Sequence, residues 1–304
     1  MERPDFPAAV DSTIRGTFVS CPRKAELSYF HHWKPHSDNV HLHAGGAFAS
    51  GLEKARRSFF EVGDSAPEAI SKGAKEVMRF YGDFECPDDS AKSMVNMVGA
   101  IGEYVHEHGF ATDAIQPFRL PDGKPAIEIS FALPIEVKHP QTGDPILYTG
   151  RYDMLGEFQD QLWVVDEKTT TQLGKTWFNQ WVLRGQLTGY CWAALDYGYP
   201  VVGAIIRGLA IRKRDYGHAQ AISVRPKWQI DRWYKQLCFD VERMIQCWER
   251  GYFDYALDHA CTEFGGCLFL DVCSSPNPER WLENDFSRRI WNPLDRTEIE
   301  VKQL

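Results

Sequence analysis

The sequence predicts an α/β protein in which a helical first third precedes a core of strands and helices. Three observations predict it. Apolar residues recur at helical spacing as far as His108. From Ala126 the pattern changes to alternation, as in strands. A helical segment then separates two groups of strands, and a last helix ends near Gly251.

Taken in order, Ser12 to His32 reads as a helix with Ser12 as its N-cap. Gly46 to Glu61, Pro67 to Tyr81 and Ser90 to His108 are helical. Ala126 to Pro134, Pro145 to Phe158 and Gln161 to Asp166 alternate as strands. Thr176 to Tyr197 reads as one long helix. Val201 to Arg212 returns to strand, with Gln220 to Val224 as its partner, and Trp228 to Arg250 is helical. A cysteine-rich segment follows Gly251, and Pro276 to Leu304, polar and proline-bearing, is expected to pack as an irregular tail. No repeat, low-complexity stretch or long linker divides the chain. One domain over 1–304 is therefore expected: a helical N-terminal region over 1–110, an α/β core over 111–250, a cysteine segment over 251–275 that works with Cys21, and a tail over 276–304.

Hydrophobic residues make up 43% and aromatics 13% of the 304 residues, which supports a packed core and argues against disorder. No apolar stretch has the length of a membrane span, and Met1 to Val10 lacks a signal-peptide pattern, so a soluble, cytoplasmic protein is expected. The formal net charge of -8 argues against a wholly basic nucleic-acid binder but not against a nuclease, whose metal-holding carboxylates add negative charge. Local basic patches, Arg207 with Arg212, Lys213 and Arg214, and Arg56 with Arg57, read individually as solvated surface charge.

The informative segment runs from Tyr148 to Thr171. If its two strands turn at Gln159-Asp160, Phe158 pairs with Gln161, and counting outward sets Asp153 opposite Asp166. Side chains so paired have Cβ atoms about 4.5–5.5 Å apart. Lys168 lies two residues beyond Asp166 and shares its face. Facing carboxylates repel, and a hard divalent cation such as Mg²⁺ compensates them while leaving positions for water. Such an ion lowers the pKa of bound water and polarises a phosphoryl oxygen, the requirements of phosphodiester hydrolysis. Lys168 can position or deprotonate that water, or stabilise the phosphate. Gln-Asp is not a preferred tight-turn pair, and a three-residue loop would shift the match by one. The alternative is an exposed hairpin whose Asp153 pairs with Arg151 or Lys168.

Gly150-x-x-Asp153, followed by a hydrophobic strand ending Val165-Asp166-Glu167-Lys168-Thr169, resembles the PD-(D/E)XK nuclease superfamily. The likeness is to its RecB-like branch, which includes CRISPR adaptation nucleases, the AddB nuclease domain and phage exonucleases. That branch carries Gln-x-x-x-Tyr on the next helix, here Gln186 to Tyr190, whose four-residue spacing sets both on one helix face. The resemblance implies a restriction-endonuclease-like core, a mixed central sheet flanked by helices. It implies that Asp153, Asp166 and the backbone carbonyl of Glu167 hold Mg²⁺ or Mn²⁺, that Lys168 is catalytic, and that Gln186 and Tyr190 position the strand and the lysine. Glu128 and Glu53 are candidate accessory residues, although a surface glutamate on a half-buried strand is the plainer reading of Glu128. One departure stands out. The family often has a metal-binding His in a segment matching Gly45 to Glu53, and Ala49 stands in its place. His41 and His43 are nearby but out of register.

Cys261, Cys267 and Cys273 cluster near the C-terminus, and Cys21 lies far upstream. These spacings are not those of a usual zinc finger, and four thiolates can hold a 4Fe-4S cluster. A zinc site or unrelated thiols are the alternatives. The set resembles the same branch, in which one N-terminal and three C-terminal cysteines hold such a cluster, and Phe264 to Phe269 suits a tight loop around it. Cys86, Cys191, Cys238 and Cys247 read as core thiols.

The ordered motifs imply a metal-dependent DNA nuclease, an exonuclease acting on single-stranded or duplex ends in phage or bacterial recombination and repair, with a recombination protein as partner. Trp177 and Trp181 are candidates for base stacking, though burial is the commoner fate of such residues. A catalytically degenerate DNA-binding or scaffold protein is the competing class, and RNA cleavage a third.

Overall fold

The computed structural model describes residues 3–36, 39–87, 90–257, 259–262 and 266–295, and the backbone of 299–301. The elements are, in order, β1 (Ala9–Asp11), α1 (Ser12–Ser20), α2 (Pro22–Ala25), β2 (Trp33–Pro35), α3 (Val40–Arg57), α4 (Ala66–Tyr81), α5 (Met94–His108), β3 (Gln116–Pro117), β4 (Ile127–Lys138), β5 (Pro145–Phe158), β6 (Gln161–Thr170), α6 (Lys175–Asn179), α7 (Gly185–Asp196), β7 (Val201–Ile211), β8 (Tyr216–Val224), α8 (Lys227–Arg250), α9 (His259–Thr262), α10 (Leu270–Ser274), α11 (Pro278–Asp285), β9 (Phe286–Arg288) and β10 (Ile299–Val301). They form two compact units. One comprises Met1–Ser37, Ser130–Gly150 and Asp231–Leu304, and the other Asp38–Ile129 and Arg151–Ile230.

The second unit holds a mixed sheet. β5 pairs antiparallel with β3 and β6, β6 parallel with β7, and β7 antiparallel with β8. Helices cover both faces. On one, α3, α4 and α5 bury Phe48, Leu52, Val77 and Ile101 against Leu209 and Ile211 of β7. On the other, Trp177 of α6 lies over Gly208, where an added Cβ would meet its ring at 2.3 Å. This is the mixed sheet flanked by helices that the resemblance implies.

The hairpin turns where expected, with Phe158 opposite Gln161 and the register continuing to Met154 opposite Val165. Gln159 (φ 51°) and Asp160 (φ 57°) both adopt left-handed backbone, the requirement of the mirror-image tight turn that matches strand twist. The unfavourable pair is thus overridden by the strands that flank it. The long helix expected from Thr176 to Tyr197 is instead two helices, α6 and α7. The buried guanidinium of Arg225 donates to the Trp181 carbonyl at 2.6 Å and to Thr188 Oγ1 at 3.0 Å, replacing helical bonds in the break.

In the first unit, β1 runs parallel to the start of β5, and β10 parallel to β4. The expected helix Ser12 to His32 breaks at Cys21 (φ -158°, ψ 110°), because the following Pro22 pushes it to extended backbone. Its N-cap is Asp11, not Ser12: the Asp11 carboxylate accepts from Thr13 N at 2.9 Å and Ile14 N at 2.7 Å. The described part of the expected irregular tail is ordered: α11 begins at Pro278, and β9 pairs antiparallel with β2, Pro35 opposite Phe286. Leu27 packs there with Phe269, Val272, Leu282 and Phe286.

Candidate active site

Asp166, Glu167 and Lys168 are consecutive on β6, so their side chains alternate between the faces of the sheet. Asp166 is buried, 1% exposed, and Lys168 Nζ lies 2.6 Å from its Oδ2. Apart from this ion pair, the Asp166 carboxylate oxygens have no hydrogen-bond partner among the described residues. Asp153 does not simply face Asp166 across the ladder; its Oδ2 accepts the Glu167 N–H at 2.8 Å. A buried carboxylate near another takes a backbone donor in this way. Burial first, then the Asp166 and Glu128 charges, push the Asp153 pKa well above the ordinary range. Burial also raises Asp166, partly offset by Lys168. For Lys168, burial acts downward, but Asp166 and Asp153 outweigh it and hold the ammonium protonated. The pairing of Asp153 with Arg151 or Lys168 is not what forms. The Asp166 and Asp153 carboxylates, side by side with one lysine, are an all-oxygen donor set that fits a hard divalent cation. Among the described residues no group of three or more His, Cys, Asp or Glu side chains is gathered to hold a metal, so water would complete such an ion's shell.

Glu167 points away from this pair. Its carboxylate is ion-paired with Arg56 of α3 and accepts from Tyr104 Oη at 2.9 Å. Arg207 of β7 reaches the same Tyr104 oxygen at 3.3 Å and grips Asp113 by two bonds of 2.6 Å. Burial would raise the Glu167 pKa, but Arg56 outweighs it and lowers it to about 2. Arg56 and Arg207, read from sequence as solvated patch members, are therefore buried structural cations, 4% and 3% exposed. Arg212 and Arg57 do lie toward the surface, paired with Asp215 and with Glu53 and Glu61.

The accessory glutamates come together through Arg151. Its Nη2 lies 2.9 Å from Glu53 Oε1 and its Nε 2.8 Å from Glu128 Oε2. Glu128 is not a surface residue. It is buried, has left-handed backbone (φ 53°), and burial pushes its pKa up to about 8, against the pull of Arg151. Ala49 is exposed. His43 stacks on Phe84 at 3.8 Å, edge-on to Phe80 and Tyr81, an aromatic nest away from the carboxylates, and His41 is exposed.

On α7, Gln186 Nε2 donates to Tyr190 Oη at 3.0 Å, and Tyr190 meets Tyr152 edge-on. The helix begins beside the site, since Asp166 feels the charge of Arg184. Trp177 and Trp181 are buried against each other, so they pack and do not present stacking faces. Sequence reasoning missed Arg184 and the bridging role of Arg151; an Arg beside Asp153 in Gly-Arg-Tyr-Asp was the available signal.

In the first unit, Cys21, Cys261, Cys267 and Cys273 line one cavity of about 60 Å³ with Lys24, Tyr255 and Leu270. Cys267 N donates to the Cys261 carbonyl at 2.9 Å, closing the loop between them. Phe264 and Gly265 lie outside the described residues. All eight cysteines are free thiols. Cys191 is a buried core thiol, and Cys86, Cys238 and Cys247 are half-buried.

A sequence model of the PD-(D/E)XK nuclease superfamily matches residues 15–274. The chain belongs to this superfamily, whose members are typically nucleases. A solved structure, that of SSO0001, aligns at 14% identity and a TM-score of 0.30, over 65% of this chain and 74% of that one. No curated protein matches the sequence significantly. Among the described residues no helix is long and apolar enough to cross a membrane.

Proposed function

We propose that this protein is a Mg²⁺- or Mn²⁺-dependent deoxyribonuclease acting on DNA ends, with 1–304 as a single nuclease domain. Asp153, Asp166 and the backbone carbonyl of Glu167 would hold the ion, which supplies an activated water and polarises the phosphate. Gln186 and Tyr190, joined by their hydrogen bond, orient the DNA strand at the start of α7. Lys168, ion-paired with Asp166, would position or help deprotonate the water, or stabilise the phosphate. The observation that carries this reading is Asp166, a buried carboxylate whose only cationic partner among the described residues is the Lys168 ammonium, with the Asp153 carboxylate beside it. Two acidic groups sharing one ammonium at partial burial leave negative charge that a divalent cation would compensate.

The test is digestion of labelled linear, circular, single- and double-stranded DNA, with RNA alongside, in Mg²⁺ or Mn²⁺. Wild type should degrade linear DNA, and Asp166→Ala and Lys168→Ala should each lose roughly 10²-fold or more of the rate. A wild type that cuts no DNA form sinks this reading. A non-catalytic DNA-binding protein, which the exposed Ala49 in place of a metal-binding His favours, would then take its place.

The proposal also includes a 4Fe-4S cluster on Cys21, Cys261, Cys267 and Cys273. Its support is that these four soft donors share one cavity, in order along the chain as in the RecB-like branch. Action in recombination or repair, beside a recombination protein, belongs to the same proposal and rests on the family likeness.

A further inference from the structure

Resting on the metal-dependent reading above, we infer that Arg151 is a built-in cation for the second acidic pair of the site, Glu53 and Glu128, so that the site takes one divalent ion and not two. The carboxylates around β6 fall into two pairs. Asp166 is buried and ion-paired with the single amine of Lys168, and Asp153 beside it takes, among the described residues, only the Glu167 N–H on one oxygen. Glu53 of α3 and Glu128 of β4 are bridged by a single guanidinium, at 2.9 Å and 2.8 Å.

The bridge has the character of a fixed charge. Arginine stays protonated at any working pH, and one planar guanidinium can neutralise two carboxylates at once. Glu53 is engaged a second time by Arg57 Nε at 3.0 Å. Glu128 reaches Arg151 from left-handed backbone (φ 53°), a conformation that persists in a bulky residue only where its surroundings hold it. The Arg151 Nε also approaches the Glu128 carbonyl at 3.4 Å, so side chain and main chain of this strained residue lie around one cation. An ion at Glu53 and Glu128 would have to evict Arg151 and tolerate Arg57 as a like-charged neighbour. Ala49, one turn before Glu53 and on the same helix face, has no donor atom to favour an ion over the guanidinium.

The experiment is Mn²⁺ titration of the full chain, read from the loss of the free-ion electron paramagnetic resonance signal, which needs no turnover. Wild type and Arg151→Lys should bind one Mn²⁺ per chain, and Asp166→Ala none. Arg151→Met, which removes the charge but keeps an unbranched side chain, should bind two. Arg151→Met with Glu128→Gln should return to one, which shows that the added ion sits on the pair released; a circular dichroism melt of each variant verifies that it is folded. Two ions on wild type, or one on folded Arg151→Met, overturns the inference while leaving the metal-dependent reading in place. No ion on wild type overturns both.

Discussion

His108 shows at the scale of one residue how the cations beneath the site set their surroundings. Its ring lies 4.6 Å from that of Tyr104 and 5.7 Å from that of His218. Burial lowers its pKa to about 4, and Arg207 adds to the effect against the weaker pull of Asp113 and Glu167. The folded value is below the ordinary 6.5, so the folded protein binds fewer protons between the two. The stability held by neutral His108 is present above about pH 6.5 and is lost as pH falls toward 4. Melting temperature should therefore drop over that interval, and His108→Gln should flatten the drop; an unchanged slope in the variant would contradict the assignment. The neighbouring Arg56–Glu167 pair shares this buried environment, and Tyr104 holds the two clusters together.

At the scale of elements, the β5–β6 hairpin positions the carboxylates, and its turn is the least favourable stretch of it. Left-handed backbone costs a residue with a side chain about 1–2 kcal/mol, and both Gln159 and Asp160 adopt it. Replacing them by Asn-Gly, the pair that suits this turn, should raise stability by about 1 kcal/mol, measured by urea denaturation. Cleavage should be unaffected, since the register from Phe158 to Met154 stays in place. A loss of stability would mean that the turn is held in some other way. The same element explains why a poor turn pair did not shift the register. Leu155 and Val164 pair across it with almost no exposure, and a slip of one residue would turn the buried side chains of both strands to the wrong face.

At the scale of the molecule, strand pairing and apolar packing in the first unit join the segment around Leu27 to Pro35 with the segment from Phe269 to Arg288. β2 pairs with β9, and Leu27 packs with Phe269, Val272, Leu282 and Phe286, with Phe269 stacked on Phe286 at 4.9 Å. The proposed cluster would add a second tie between these parts of the chain. An anaerobic preparation should accordingly be brown with broad absorption in the blue. Cys267→Ser should lose the colour and become more sensitive to limited proteolysis near Cys21 and Cys273, yet keep its fold, because the apolar contacts remain. A colourless anaerobic protein carrying stoichiometric zinc would overturn the cluster.

What the sequence alone determined is what local rules govern: the strand pattern from Ala126 to Asp166, the shared face of Asp166 and Lys168, and the four-residue spacing of Gln186 and Tyr190. Period and spacing act between neighbours, so they can be read without a fold. Only the tertiary structure decided which charges are buried and with whom. Arg56 meets Glu167 across 111 residues and Arg207 meets Asp113 across 94, while Glu128 is carried inside to meet Arg151. It also broke the helix predicted from Thr176 to Tyr197, through Arg225, and ordered the expected tail against β2. The physical reason is common to all of these. A charged or polar group takes its place from whichever partner compensates its burial, and that partner is set by packing between distant segments, which periodicity does not record.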